Sequence, residues 1–277
     1  MFDSDNKPVI MGILNVTPDS FSDGGQFTDI TAAIQQAKRM IAEGVNIIDI
    51  GGESTRPGSE SVSIDEQMSR VLPVISAIRT ELSETVRISI DTTSSEVANA
   101  ALCAGANIIN DISAGQNDHS MLTLACEHDV PIVLMHMQGS PKTMQDNPHY
   151  VDVVAEVIAD LTQRIAEARH AGIKKHNIIL DPGIGFGKRR DDNLKLLAHL
   201  DAIVNLGYPV LLGTSRKRFM GSLCAVAEPA ELVIATAVTT AVGVMAGVQL
   251  FRVHDVRENR QAADVAWAIN NVTASTD

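Results

Sequence analysis

Short apolar runs alternate along the chain with longer segments whose apolar residues recur at helical spacing. The short runs have the length and composition of buried strands, and the longer segments are typical of amphipathic helices. The pattern predicts strands over residues 9–16, 47–52, 87–92, 108–113, 131–136, 178–183, 209–214 and 250–255. It predicts helices over residues 31–43, 63–82, 94–103, 119–128, 151–171, 192–204, 229–245 and 258–270.

This alternation predicts an α/β protein whose strands run parallel. Eight such units favour a closed (β/α)8 barrel, the TIM barrel fold, which typically needs roughly 250 residues. The chain has 277 residues. An open, doubly wound sheet is the alternative, and a dinucleotide-binding version is disfavoured because no GxGxxG motif follows the first strand. No linker or low-complexity run divides the sequence, so we expect a single domain over residues 1–277.

Composition and charge narrow the possible partners. The net charge of −12 argues against a nucleic-acid binder, although it permits a small anionic substrate at a local cationic site. Cys103, Cys126 and Cys224 are far apart and form no CxxC pair, so we expect reduced core thiols in a cytoplasmic protein. Residues 1–5 lack the layout of a signal peptide.

One uncharged segment, residues 233–251, is long enough to span a membrane. It is rich in Ala, Thr and Gly, and charged residues follow it at once. We therefore expect a buried helix followed by a buried strand, and no contact with a membrane.

Polar residues lie at the ends of the predicted strands, where a (β/α)8 barrel builds its active site. Stability alone explains such a set poorly, because polar groups at the mouth of an apolar barrel need partners. The set comprises Asn15, Thr55, Arg56, Asp91, Asn110, Asp111, His136, Asp181, Ser215, Arg216, Lys217, Arg252 and His254, and the apolar Met135 directly precedes His136.

The set divides by chemistry. Asp91, Asn110 and Asp181 offer acceptors and an amide, which suit the donor-rich edge of a heterocycle such as an aminopyrimidinone. A second group consists of cations and one amide oxygen, which suit a phosphate group accompanied by Mg²⁺. They are Arg56, Lys217, Arg252, His254 and, for the metal, Asn15.

Structural alternatives exist for single members of this set. Asp181 precedes Pro182 and is also typical of a turn, Lys217 also fits a solvated helix start, and His254 also fits a hydrogen-bonded histidine of the barrel. We expect His136 to be structural.

Two glycine-containing segments follow the second and sixth strands. Residues 51–58, GGESTRPG, place a Thr hydroxyl and an Arg guanidinium where they can bind phosphate oxygens. Residues 183–188 lack the GxxxxGK[ST] spacing of a phosphate loop. We expect them to form a flexible rim loop in which Phe186 and Lys188 are available to a second substrate.

Together these motifs resemble those of the dihydropteroate synthase family, in the family's order and over nearly the whole chain. The matching segments are residues 12–25 (GILNVTPDSFSDGG), 51–58, 90–92, 109–111, 180–188, 215–217 and 252–255. The resemblance implies a (β/α)8 barrel, usually homodimeric, with transferase activity. Members join 4-aminobenzoate to (7,8-dihydropterin-6-yl)methyl diphosphate, releasing diphosphate and forming 7,8-dihydropteroate for folate synthesis.

The resemblance also implies residue roles, with Lys217, Asp91 and Arg252 as the catalytic group. The pterin is expected to contact Asp91, Asn110, Met135, Asp181, Lys217 and Arg252. The diphosphate is expected to contact Asn15, Thr55, Arg252 and His254, with Mg²⁺ near Asn15. The 4-aminobenzoate pocket is expected to include Phe21, Arg56, Pro57, Phe186, Ser215 and Lys217, and Val253 completes the substrate-binding set.

Two rival functions stay open at this point. A pterin-binding methyltransferase barrel holds a similar ring but needs no diphosphate clamp, so the cations at residues 215–217 and 252–254 argue against it. A catalytically silent pterin-binding barrel is expected to lose loop residues such as Asn15, Thr55 or Arg56, and all three are present.

Overall fold

A computed structural model describes residues 7–16, 25–53, 62–82, 86–140 and 142–274. Its eight strands are all parallel and form one sheet in the order β6-β5-β4-β3-β2-β1-β8-β7. A bridge between Leu180 and Val210 joins the two ends of this sheet, so the barrel closes. The strands are β1 Val9–Asn15, β2 Ile47–Gly51, β3 Arg87–Asp91, β4 Ile108–Asp111, β5 Ile132–Met135, β6 Ile178–Asp181, β7 Leu211–Leu212 and β8 Leu250–Val253.

Helices connect successive strands, which confirms the predicted (β/α)8 barrel. Short 3-10 turns at Lys175–Asn177 and Pro229–Glu231 supplement them. The helices are α1 Gly25–Ala42, α2 Ile64–Glu81, α3 Ser95–Cys103, α4 Ser120–Glu127, α5 Val153–His170, α6 Arg190–Ala198, α7 Leu200–Val204, α8 Arg218–Cys224, α9 Val233–Met245 and α10 Val256–Ala274.

Several element ends differ from the predicted ranges: β7 covers only Leu211–Leu212, and α1 begins at Gly25. Three further differences concern single residues or elements. The single helix predicted over residues 192–204 is broken at His199, whose φ of −129° and ψ of 34° are not helical and whose Nδ1 lies 2.8 Å from the Lys195 carbonyl oxygen. Helix α8 was not predicted, and it ends after one short stretch because Ala225 adopts the left-handed conformation. Strand β8 ends at Val253, so His254 lies in the loop beyond it.

Alternate residues of each strand face opposite sides of the sheet, and this periodicity divides the core in two. The larger cluster lies between the strands and the surrounding helices. The smaller cluster fills the barrel interior and is wholly apolar: Val9, Met11, Ile47, Ile108, Val133, Ile179, Leu211 and Leu250. This inner cluster forms the floor on which the polar residues described below are built.

The segment over residues 233–251 differs from its predicted burial. Helix α9 buries Thr236, Thr240, Gly243 and Val244 against the barrel, but its other side is apolar and open to solvent. Within the described residues no helix combines the length and apolarity needed to cross a bilayer. The predicted burial is therefore wrong for one side of α9, where Ile234 is 81% and Val238 57% exposed.

The cysteines differ from expectation in one respect. Cys103, Cys126 and Cys224 are free thiols, but Cys103 and Cys224 are exposed, so they are not core residues.

Candidate active site

Polar side chains occupy the upper layer of the barrel interior. Moving two residues along a strand advances about 6.6 Å on the same face. That step takes four strands from an apolar residue of the inner cluster to a polar one: Ile47 to Asp49, Ile108 to Asn110, Ile179 to Asp181 and Leu250 to Arg252. On β5 the same step leads from Val133 to Met135, which is 2% exposed. The predicted pterin-binding residues thus share one layer above an apolar floor.

Arg252 lies at the centre of this layer and bridges two carboxylates. Its Nε donates to Asp49 Oδ2 at 2.6 Å, and its Nη2 donates to Asp91 Oδ2 at 2.6 Å. Burial raises the pKa of Asp91, while the neighbouring Arg252 opposes this shift. Burial also disfavours the charged form of Arg252, but Asp49 and Asp91 outweigh it and raise the pKa of the guanidinium. Arg252 therefore stays charged at the mouth of the barrel.

Asp181 and Lys217 are the next charged groups of the layer, and each favours the charged form of the other. Asp181 Oδ1 accepts a hydrogen bond of 2.7 Å from the Gly183 N–H, and burial raises the pKa of the carboxyl against the influence of Lys217. Burial lowers the pKa of Lys217 to about 8, although Asp181 favours the charged form. Lys217 Nζ donates to the Ile184 carbonyl and stands 4.6 Å from the centroid of the Phe186 ring. Lys217 thus contacts Phe186 and interacts electrostatically with Asp181.

Ser215 and His254 meet beside this pair. Ser215 Oγ lies 2.9 Å from His254 Nδ1 and accepts from the His254 backbone N–H at 3.0 Å. The neighbouring Arg216 forms a two-pronged ion pair with Asp255, at 3.0 Å from Nε and 2.5 Å from Nη2. These contacts fasten the loop after β7 to the end of β8. Arg216 therefore links the two loops, and Lys217, which directly precedes helix α8, is the residue left to face the site.

The segment over residues 183–188 is built differently from the predicted rim loop. Lys188 is only 3% exposed, and its Nζ lies 2.8 Å from His136 Nδ1. The same Nζ donates to the carbonyl oxygens of Gly183 at 2.9 Å and Phe186 at 3.0 Å. The prediction that Lys188 is available to a substrate is wrong, because its ammonium group ties this loop to the end of β5.

Burial shifts the pKa values of both basic groups in this cluster. It lowers the pKa of Lys188 to about 7, and burial together with Lys188 lowers the pKa of His136 to about 3. His136 is thus part of the structural network, as expected.

Gly183 has a φ of 66°, and a Cβ there would lie 1.9 Å from the His136 carbonyl oxygen. A side chain at that position would separate the two loops.

Some predicted residues lie elsewhere. Val253 is 1% exposed in the outer core, on the opposite side of β8 from Arg252, so its side chain does not join the site. Asp111 binds the N–H groups of Ser113 at 2.8 Å and Gly115 at 2.6 Å, and it shapes the turn after β4. Phe21, Thr55, Arg56 and Pro57 lie outside the described residues.

Sequence reasoning also missed Asp49. It lies inside an apolar run, which we interpreted only as a buried strand. The available signal was its charge. A charged residue inside an otherwise apolar strand is buried and needs a partner of opposite charge. Arg252 is that partner.

The position of Asn15 is compatible with a hard cation. Asn15 is half-buried at the end of β1, in register with Gly51, and so lies beside the start of the loop after β2. Among the described residues there is no group of three or more His, Cys, Asp or Glu that would hold a metal ion by themselves. Mg²⁺ often keeps several waters and takes its other ligands from substrate phosphates, so a single amide oxygen fits it.

Comparison with known proteins agrees with this geometry. The family described as pterin binding enzyme matches residues 11–254. Dihydropteroate synthase of Bacillus subtilis is 48% identical over 265 residues, which cover 96% of this chain and 90% of that protein.

Solved structures give the same result. Yersinia pestis dihydropteroate synthase with a sulfonamide drug complex superposes with a TM-score of 0.90 at 41% identity, covering 97% of this chain and 96% of that one. Xanthomonas albilineans dihydropteroate synthase in complex with 7,8-dihydropteroate gives a TM-score of 0.86 at 41% identity, with 96% and 95% covered. This chain therefore belongs to the dihydropteroate synthase family of pterin binding enzymes.

Proposed function

We propose that this protein condenses 4-aminobenzoate with (7,8-dihydropterin-6-yl)methyl diphosphate, giving 7,8-dihydropteroate and diphosphate. The observation that carries the proposal is the polar layer in the barrel mouth. There the acceptors of Asp91, Asn110 and Asp181 lie beside the cations Lys217 and Arg252. Such acceptors match the N–H groups of a pterin, and the cations match its anionic leaving group.

The chemistry that follows from this layer is a substitution at the methylene carbon of the pterin. The C–O bond to diphosphate breaks, and the leaving group carries away the electron pair. The positive charge left on the pterin is stabilised by the buried carboxylates Asp91 and Asp181, which are already fixed in place by Arg252 and the Gly183 N–H. The arylamine of 4-aminobenzoate then forms the C–N bond and loses a proton to water. No covalent bond to a side chain is required.

A direct assay tests this reaction. Diphosphate and dihydropteroate should form in equal amounts, and only when both substrates are present. A pterin-binding methyltransferase would form neither product. A silent pterin-binding protein would bind the substrates without releasing diphosphate, and either result would overturn the proposal.

Mg²⁺ is proposed to accompany the diphosphate, with the Asn15 amide oxygen as a protein ligand. When bound, the ion neutralises charge on the leaving group. Excess chelator should abolish turnover, and added Mg²⁺ should restore it. Dihydropteroate carries no diphosphate, so its binding should be the same with and without chelator. Full turnover in chelator, with no metal retained by the protein, would refute the role of Mg²⁺.

The 4-aminobenzoate pocket is proposed to lie along Phe186, Lys217 and Ser215. The contact of Lys217 with the Phe186 ring and the position of Ser215 two residues before Lys217 support this proposal. Sulfonamides present a similar arylamine and should compete with 4-aminobenzoate at this site. Inhibition series at several 4-aminobenzoate concentrations check this. Inhibition that high 4-aminobenzoate does not relieve would place the drug elsewhere.

A homodimer is proposed through the exposed apolar face of α9 and α10, two helices that pack against each other. On each helix the exposed residues recur every three or four positions and so form one stripe. The stripe consists of Ile234, Val238, Val242 and Met245 on α9, and Val265, Ile269 and Val272 on α10. An apolar surface of this kind is typical of a protein interface.

Light scattering tests this assembly. The wild type should have the mass of a dimer, and Val238→Glu should shift it towards the monomer. Val151→Glu is the control, because Val151 is 92% exposed but lies outside the stripe. A monomeric wild type, or a Val238→Glu variant that stays dimeric, would exclude this face.

We also propose a cytoplasmic location, which the three free thiols support.

A further inference from the structure

Asp49 lies deeper than the other charged residues of the polar layer. Its side chain is fully buried, and its Oδ2 accepts from Arg252 Nε at 2.6 Å and from Asn110 Nδ2 at 3.1 Å. These donors come from β8 and β4, on different sides of the barrel. One carboxylate oxygen therefore holds two residues that face the proposed pterin site.

Stability does not account for a carboxylate at this position. Within the described residues, Asp49 Oδ1 has no hydrogen-bond partner, and neither does the Oγ of Ser89, its register neighbour on β3. A buried ion pair with unsatisfied atoms is a poor stabilising device compared with apolar residues of similar size. The inner cluster directly below shows that apolar residues can fill this barrel.

The contacts of Asp49 do determine how its neighbours present themselves. Because Asp49 occupies the Nε edge of Arg252, the guanidinium contacts Asp91 through Nη2 and one carboxylate oxygen. Without Asp49, Arg252 could turn and engage both oxygens of Asp91, the stronger two-pronged pairing. Asp91 would then have less accepting capacity for a ligand.

The contact between Asp49 and Asn110 sets the direction of the Asn110 amide. An ionised carboxylate only accepts, so the NH₂ group of Asn110 must face Asp49, as its 3.1 Å contact shows. The carbonyl oxygen of the amide then faces away from Asp49 as an acceptor. Both effects leave acceptors for the N–H groups of a pterin.

We propose that Asp49 is a positioning residue, which orients Arg252 and Asn110 so that Asp91 and Asn110 present free acceptors to the pterin. The inference rests on the proposed function. It predicts that Asp49 contributes to pterin affinity without touching the pterin.

Dihydropteroate titrations with purified full-length variants test this role. Asp49→Asn keeps the shape of the side chain but loses the charge-assisted pairing with Arg252, and the dissociation constant should rise about tenfold or more. Ser89→Ala is the matched control, because Ser89 is equally buried in the neighbouring strand. This variant should bind dihydropteroate with unchanged affinity. If Asp49→Asn does not fold, Asp49→Glu takes its place. That variant keeps the charge but displaces the carboxylate, and it should also bind more weakly.

A double-mutant cycle separates positioning from general destabilisation. Arg252→Lys keeps the positive charge but cannot reproduce the fork between two carboxylates. The effect of Asp49→Asn on affinity should be much smaller in that background than in the wild type. Strictly additive losses, an equal loss in Ser89→Ala, or wild-type affinity in Asp49→Asn would overturn the proposal. A wild type that does not bind dihydropteroate at all would instead remove the proposed function.

Discussion

The lower and upper halves of the barrel interior share four strands, β2, β4, β6 and β8, but differ in chemistry. The lower half is the inner apolar cluster, and the upper half holds Asp49, Asp91, Asn110, Asp181 and Arg252. On these four strands only about 6.6 Å separates the two halves. In the lower half, residues are fixed by packing, whereas in the upper half they are fixed by ion pairs and hydrogen bonds.

This difference separates stability from function within a single strand. Apolar burial stabilises the fold roughly in proportion to area. The upper half gains little stability from its buried charges, because removing them from water offsets much of their attraction. Substitutions in the lower half should therefore reduce stability and leave activity nearly unchanged. Substitutions in the upper half should reduce activity more than stability.

The largest expected contrast lies on β6, where Ile179 and Asp181 are two residues apart on the same face. Ile179→Ala should lower the free energy of unfolding by about 2–5 kcal/mol through a cavity, with kcat/KM nearly unchanged. Asp181→Asn should lower kcat/KM on the order of 10²-fold or more and destabilise less than Ile179→Ala. Denaturant unfolding and steady-state kinetics on both variants check this. A reversed ranking would break the division between the two halves.

Next in size is the effect of the cation opposite Asp181. Lys217→Ala should lower kcat/KM on the order of 10²-fold, because it removes a preorganised charged contact in a partly buried site. Lys195→Ala is the control, since Lys195 is an exposed cation on α6 and not one of the buried charges of the layer. Near-normal turnover in Lys217→Ala would take this residue out of the site.

The smallest effect concerns pH. Burial lowers the pKa of Lys217 to about 8, so the ammonium is charged below that pH and neutral above it. If the charged form is required, kcat/KM should fall about tenfold per pH unit above pH 8. Lys217→Arg keeps its charge throughout, so its remaining activity should lack this fall. The same descending limb in both proteins would assign it to another group.

The sequence was sufficient to predict the barrel because each strand is a short apolar run followed by a glycine- or polar-rich turn. The C-terminal ends of the predicted strands then gave Asp91, Asn110, Asp181 and Arg252 as candidate site residues, and the structure brings them into one layer. Helix α8 escaped prediction because it is short and contains Gly221, which weakens the helical pattern.

Other features depend on contacts that no local pattern contains. The sequence of residues 183–188 is typical of an open loop, and only the fold brings His136 close enough to bury Lys188. Asp49 looks like an interruption of β2 until Arg252 is placed beside it, 203 residues away along the chain. The exposed side of α9 is as apolar as a buried one, so composition could not show which side faces outwards.

The central claim is that the polar upper layer of the barrel binds the pterin, and a crystal structure of the protein with 7,8-dihydropteroate tests it most directly. The account predicts that the pterin ring lies above the inner apolar cluster and hydrogen-bonds to Asp91, Asn110 and Asp181, while the aminobenzoate end points towards Phe186 and Lys217. A pterin ring bound elsewhere, or bound in the barrel without contact to these three residues, would contradict it.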